Sequence, residues 1–182
     1  MSPADATAEL TAEEAKVLRC GEIGFDTIRA LLARYGLSLQ VIEDGRPIPG
    51  SYWGAPEAGL IGTTVAIRAD TPVHSFLHET CHTICMDTAR RDRLHTEAAD
   101  GVEDIASHLE ENGVCYLEIL LADHLDGAGR DRLMLDMDRW GYSFRLGSTR
   151  AWFENDADDA QRWLIDRELI APNGAVTFRL RD

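Results

Sequence analysis

The stretch from Thr71 to Met86 constrains this chain more than any other. A threonine followed by a proline reads as an N-cap and a first helical position, where the missing proline N–H has no intrahelical partner to lose. Val73, Phe76, Leu77, Cys81, Ile84 and Cys85 then recur at helical spacing, and the helix is expected to reach about Met86. A helix this apolar belongs in a core. Leu60 to Ile67 runs directly into it as a strand, with Val65 and Ile67 on one face and Thr64, Ala66 and Arg68 on the other.

Around that centre the periodicity is mostly helical. Thr11-Ala12-Glu13-Glu14 has capping-box spacing and predicts a short helix from about residue 12 to Cys20. Phe25, Ile28, Leu32 and Tyr35 mark a second helix, which Gly36 ends. Leu37 to Ile42 alternates as a strand would and stops at the turn Glu43-Asp44-Gly45. Residues 46–59 carry Pro47, Pro49 and Pro56 and read as an irregular loop, as does the charged stretch Asp87 to Asp100. A long helix is expected from a capping box at Asp100 to Glu103, through Ile105, Leu109, Val114, Leu117 and Leu121, to about Asp126. Leu133, Met137 and Trp140 mark another helix that stops at Gly141, and a further one spans about Ala157 to Ile170. Ala175 to Leu180 reads as a last strand. The expected fold is α+β: mostly helical, with a small antiparallel sheet packed on the Thr71–Met86 helix. It forms a single domain with a core over about residues 20–125 and a C-terminal helical extension over about 126–182.

Composition removes several classes of function. The 182 residues include 18 Lys and Arg against 32 Asp and Glu, a formal net charge of -14. Such a surface repels phosphate backbones and anionic lipid, so neither nucleic acid nor a membrane surface is an expected partner. No apolar run is long enough to cross a bilayer. The start of the chain is acidic and alanine-rich and lacks the basic, then apolar, pattern of a secretory signal. Cys20, Cys81, Cys85 and Cys115 are not spaced as a disulfide framework, so reduced thiols in a cytoplasmic protein are expected.

The chemistry lies in His78-Glu79-Thr80-Cys81-His82, the pattern H-E-x-x-H. With about 3.6 residues per turn, side chains four apart project on nearly the same side, so both imidazoles can reach one metal ion. Glu79 points about 100° round the helix, where it can flank a water on the metal without ligating the metal. Two histidines facing an apolar interior would be costly without a partner, and a metal is the usual remedy. The expected cofactor is Zn2+, which suits two histidines, a carboxylate and an open position better than manganese or cobalt. The expected catalytic group is Glu79, as general base.

On this motif and layout the chain resembles the zincin-like metallopeptidases. Their order of a helix, a small sheet, the H-E-x-x-H helix and a later ligand-bearing helix can be laid over residues 20–125. Cys85 and Thr88 stand where a metzincin would have its glycine and third histidine, which rules that type out. In the glutamate-ligand zincins the third ligand comes from the later helix, which here offers Glu103, His108, Glu110, Glu111 and Glu118. Glu111 to Leu121 looks like the ligand helix of ImmA/IrrE-type proteins. Val114, Cys115 and Leu117 replace that pattern's alanine, asparagine and phenylalanine. The resemblance implies a metal site of His78, His82 and Glu111, with Glu110, Glu103 and His108 as rivals to Glu111.

The reading is a small zinc metallopeptidase-like hydrolase acting on a peptide or protein, with the Leu60–Ile67 strand aligning an extended substrate by edge pairing. A second reading is a regulatory or peptide-binding module of the same fold with little turnover. A third is a metal-free helical domain. An oxyanion donor could be His108, Tyr116, His124, Tyr142 or Arg145, and spacing selects none of them. Trp140 to Gly147, rich in aromatics and glycine, forms either a cleft wall or a packed turn under the last helix. Cys81 and Cys115 read as small buried thiols, His95 as solvent-facing, and the acidic run Glu154 to Asp159 as a solvated helix start.

Overall fold

The computed structural model describes residues 11–93 and 107–182. Thr11 and Glu14 form the reciprocal box, Thr11 N–H donating to Glu14 Oε2 at 2.7 Å and Glu14 N–H to Thr11 Oγ1 at 3.1 Å. Only a 3-10 turn, Glu14–Lys16, follows, not the helix to Cys20 that the spacing predicts. Long-range bonds win there: Leu18 N–H donates to Asp136 Oδ2 at 2.8 Å, and Leu18 O accepts from Val73 N–H at 2.9 Å. Helix α1 (Cys20–Ile23) and helix α2 (Phe25–Arg34) follow, α2 burying Ile28, Leu31 and Leu32. Gly36, at φ 69, ends α2 as expected, because only glycine takes a left-handed conformation without strain.

The sheet has three strands, β1 (Ser38–Val41), β2 (Gly59–Ile61) and β3 (Thr64–Ile67), in the order β1-β3-β2. The run Leu60–Ile67 is therefore not one strand. It is a hairpin folded at Gly62-Thr63, where Gly62 supplies the positive φ (59°) that a two-residue turn needs. The sheet is mixed where an antiparallel one was expected. β3 pairs antiparallel with β2, Leu60 opposite Val65, and parallel with β1, Leu39 opposite Val65. The long loop 42–58 carries the chain across the sheet, so the hairpin's second strand, not its first, lies against β1.

Helix α3 (Val73–Cys85) leaves the central strand after a short turn. Thr71 does not cap it. Its hydroxyl accepts from Arg68 N–H at 2.9 Å and closes the preceding turn, leaving Pro72 as the N-cap. Ten of the thirteen residues of α3 are buried, between the sheet on one side and helix α5 on the other. Of the stretch Asp87 to Asp100 expected as a loop, the described part instead forms helix α4 (Thr88–Arg93), because Asp87 Oδ1 accepts from Arg90 N–H at 2.9 Å as an N-cap does; residues 94–100 lie outside the described residues.

Helix α5 (His108–Ala122) starts at Ser107, whose side chain accepts from Glu110 N–H at 3.1 Å. The box expected at Asp100–Glu103, together with His95 and Glu103, lies outside the described residues. Helix α6 (Arg130–Trp140) ends at Gly141, as its spacing predicts. Helix α8 (Asp158–Asp166) forms where a helix was expected from about Ala157, though it stops short of Ile170, and helix α7 (Thr149–Asn155), which was not expected, precedes it. The acidic run Glu154 to Asp159 spans the break between them: Asp158 and Asp159 open α8 as the expected solvated helix start, while Glu154 lies at the end of α7. Ala175 to Leu180 forms no strand; Ile170 and Val176 share an isolated bridge.

Helix α8 lies so close to α5 that a Cβ on Gly113 would stand 2.8 Å from the Trp163 ring. One continuous core runs from Ile28 through Phe76 and Leu117 to Leu164, so the C-terminal helices share it with the sheet and α3. All four cysteines are buried and unpaired, as expected of reduced thiols. Among the described residues no helix is long and apolar enough to cross a membrane.

Candidate metal centre

Helix α3 presents His78 and His82 one turn apart, their Nε2 atoms 3.1 Å from each other. Helix α5 crosses α3 and brings Glu111 to the same point. Its Oε1 is 3.1 Å from His78 Nε2 and its Oε2 is 3.5 Å from His82 Nε2. His78, His82 and Glu111 are the group that could hold a metal ion among the described residues. Ligand atoms at about 2.0–2.1 Å from a tetrahedral cation stand roughly 3.3 Å apart. The three separations bracket that value, so the donor set fits such a cation in type and in spacing.

The rival glutamate is accounted for. Glu110, one residue earlier and so turned about 100° round the helix, is buried and receives hydrogen bonds from Arg90 and Arg181. It ties α4 and the C-terminal tail to α5 and takes no part in the cluster. His108 is exposed at the first turn of α5 and stands outside the ligand group.

Glu118 has a role that spacing had not singled out. It is fully buried, and its Oε2 accepts from His78 Nδ1 at 2.7 Å. With the Nδ1 proton committed to that bond, the lone pair of His78 Nε2 faces Glu111 Oε1 and His82 Nε2. Two acceptors 3.1 Å apart repel unless a proton or a cation sits between them. Glu118 lies two turns beyond Glu111 on the same face of α5, a signal that was present in the sequence. A carboxylate on the far nitrogen of a metal-bound imidazole fixes its tautomer and raises its basicity. Glu118→Gln is expected to weaken zinc binding about 10–100-fold, measured by competition with a chromophoric chelator. An unchanged affinity would reduce Glu118 to a packing role.

Glu79 stands beside the cluster without joining it, as the helical geometry requires. Burial raises its carboxyl; His78 opposes that, and the nearby Glu57, Glu111 and Glu118 add to it, bringing the group to about 7. A cation in the cluster would favour the carboxylate form.

Of the five candidate oxyanion donors, Tyr142 is the one packed against the imidazoles of His74 and His78. Its ring and that of His78 form a T-shaped pair, centroids 6.0 Å apart, and its hydroxyl is 3.4 Å from His74 Nδ1. Tyr116 stacks on Phe153, His124 packs against Phe178, and Arg145 pairs with Asp156. The Trp140–Gly147 segment is both wall and packed turn. Trp140 packs on His74 and donates from Nε1 to Glu57 Oε1 at 2.9 Å, while Phe144 stacks on Trp152 of α7. A cleft of about 340 Å³, lined in part by Leu109, Asn112, Phe144 and Trp152, opens alongside α5.

Sequence reasoning missed His74, one turn before His78 on the same helix face, and Glu57, which no local pattern marks. It also expected an open strand edge for substrate. Leu60 N–H, which points away from β3, donates instead to Gly50 O at 3.3 Å, so the loop before β2 closes that edge at its centre. No protein-family model, curated protein or solved structure matches the chain.

Proposed function

We propose that this protein is a zinc-dependent, zincin-like hydrolase that cleaves a peptide or related amide bond. The observation that carries the reading is the spacing of His78 Nε2, His82 Nε2 and Glu111 at tetrahedral ligand distances, with Glu79 beside them. A cation held by those three groups supplies Lewis acidity, polarising a carbonyl oxygen and making a neighbouring water acidic near neutral pH. Glu79 takes a proton from the attacking water as its oxygen bonds to the carbonyl carbon. It returns that proton to the leaving nitrogen as the C–N bond breaks. Glu118 holds His78 in the tautomer that turns the Nε2 lone pair toward the metal. The bond from Leu60 N–H to Gly50 O closes the centre of the β2 edge, so substrate alignment does not rest on pairing there.

The other reading is a regulatory or peptide-binding module of the same fold with little turnover. Metal content, measured element by element on the purified protein, tests the shared premise. About one zinc per chain is expected, with none bound by a His78→Ala, His82→Ala double variant. Protein that carries no metal and takes up no added zinc would remove both readings.

A further inference from the structure

Helix α3 ends at Cys85, three residues beyond His82, and its last four carbonyls have no partner within the helix. His82 O accepts from Met86 N–H at 3.0 Å, and Thr83 O from Arg91 Nε at 3.0 Å. The other two are taken by one distant residue. Arg181 N–H donates to Ile84 O at 3.0 Å, and Arg181 Nη1 donates to Cys85 O at 3.1 Å. Arg91 Nη2 donates in turn to Arg181 O at 2.8 Å, which ties the backbone at 181 to α4 as well. A cation placed there also faces the negative end of the helix dipole.

The same Nη1 reaches across to α5. It donates to Glu110 Oε2 at 3.0 Å, while Arg90 Nη2 of α4 holds Glu110 Oε1. The Arg181 guanidinium also lies over the Trp163 ring of α8, 5.4 Å from its centroid, and that ring packs closely on Gly113. Glu110 and Gly113 are three positions apart and share a face of α5. That face is therefore pinned at two points, and Glu111 lies about 100° round the helix from Glu110. With side chains a helix is about 10–12 Å across, so a turn of about 10° about its axis moves a side-chain tip by about 1 Å. Metal–ligand distances hold to about 0.2 Å. The rotation of α5 thus sets how well Glu111 meets His78 and His82 at one cation.

We infer that Arg181 is a positioning residue for the metal centre: by bonding the end of α3 and Glu110 of α5 through one nitrogen, it sets the rotation at which Glu111 closes on the histidine pair. The inference rests on the metal-site reading above and not on turnover. It makes the affinity of a site on α3 and α5 depend on a residue 71 positions beyond Glu110.

Zinc affinity of the full chain at 25 °C, by competition with a chromophoric chelator, tests it, together with Tm in chelator and in excess zinc. Arg181→Met keeps the stem of the side chain and removes the guanidinium. It is expected to weaken zinc binding about tenfold, the low end for a lost ligand-orienting partner. At one free zinc concentration well above both Kd values, its zinc-induced rise in Tm should then be smaller than the wild type's by about 3–5 °C. Glu110→Gln should weaken binding in the same direction, and the double variant should lose less than the two single losses combined. Arg179→Met, in the same segment and paired in the wild type with the exposed Glu168, should leave affinity unchanged. An Arg181→Met protein whose Tm falls equally in zinc and in chelator, with wild-type Kd, would overturn the inference and leave only a helix cap. An equal loss of affinity in Arg179→Met would overturn it as well. Glu110→Gln carries the same test should Arg181→Met not fold, and wild-type affinity there is equally fatal. A wild type that takes up no zinc sinks the metal-site reading, and this inference with it.

Discussion

Glu79→Gln is expected to retain about one zinc per chain while losing roughly 10²–10⁴-fold in kcat, the contribution typical of a positioned general base. The substitution keeps the shape of the side chain and removes its basicity. Glu79 lies outside the ligand group, so the metal's donors are untouched. KM should change little, because the proton transfer occurs only in the transition state. The check is steady-state cleavage of a library-selected peptide, with metal content measured on the same preparation. Full turnover with full zinc would take Glu79 out of the mechanism. Loss of zinc together with turnover would mean that Glu79 helps to hold the site, and the variant would then say nothing in favour of base catalysis.

The second large effect is on stability. The site joins α3 to α5, two elements separated in the chain by α4 and by the residues that follow it. An ion bound there stabilises only the folded state, since unfolding separates Glu111 from the histidine pair. At free zinc about a thousandfold above Kd this linkage is worth about 4 kcal/mol. For a chain of this size that corresponds to a rise in Tm of roughly 8–16 °C over the chelated protein. His82→Ala should melt at the same temperature with zinc or chelator, because it leaves one histidine and one carboxylate. Differential scanning calorimetry of both proteins in both conditions measures this. A wild type whose Tm ignores chelation would show that the cluster is held by protons and not by a metal.

These outcomes bear on a site that was partly legible before any tertiary structure. The H-E-x-x-H helix, the ends of α2 and α6 at Gly36 and Gly141, and β1 all follow from local pattern, and the structure places each where the spacing predicts. The reason is physical: periodicity, capping and positive-φ glycine act over a turn or two of chain and need no distant partner. Glu111 was chosen by resemblance rather than by pattern. Its neighbour Glu110 has the same propensity and charge, and only the positions of Arg90 and Arg181 turn that residue to another task.

Where local preference and distant partners competed, the distant partners decided. The box at Thr11 formed, yet its helix stopped after one turn because Leu18 is bonded to Asp136 and Val73. The predicted strand became a hairpin because β3 pairs on both sides, with β1 and with β2. His78 with Glu118, and His74 with Tyr142, are contacts across 40 and 68 positions of chain. No periodicity spans such distances. The sequence by itself determined which residues could bind a metal and which helix would carry two of them. Only the packing of α5 and the α6–α7 loop against α3 decided which glutamate joins the two histidines, which carboxylate bonds His78 Nδ1 and which tyrosine packs against that ring, because those positions are set by the docking of whole elements.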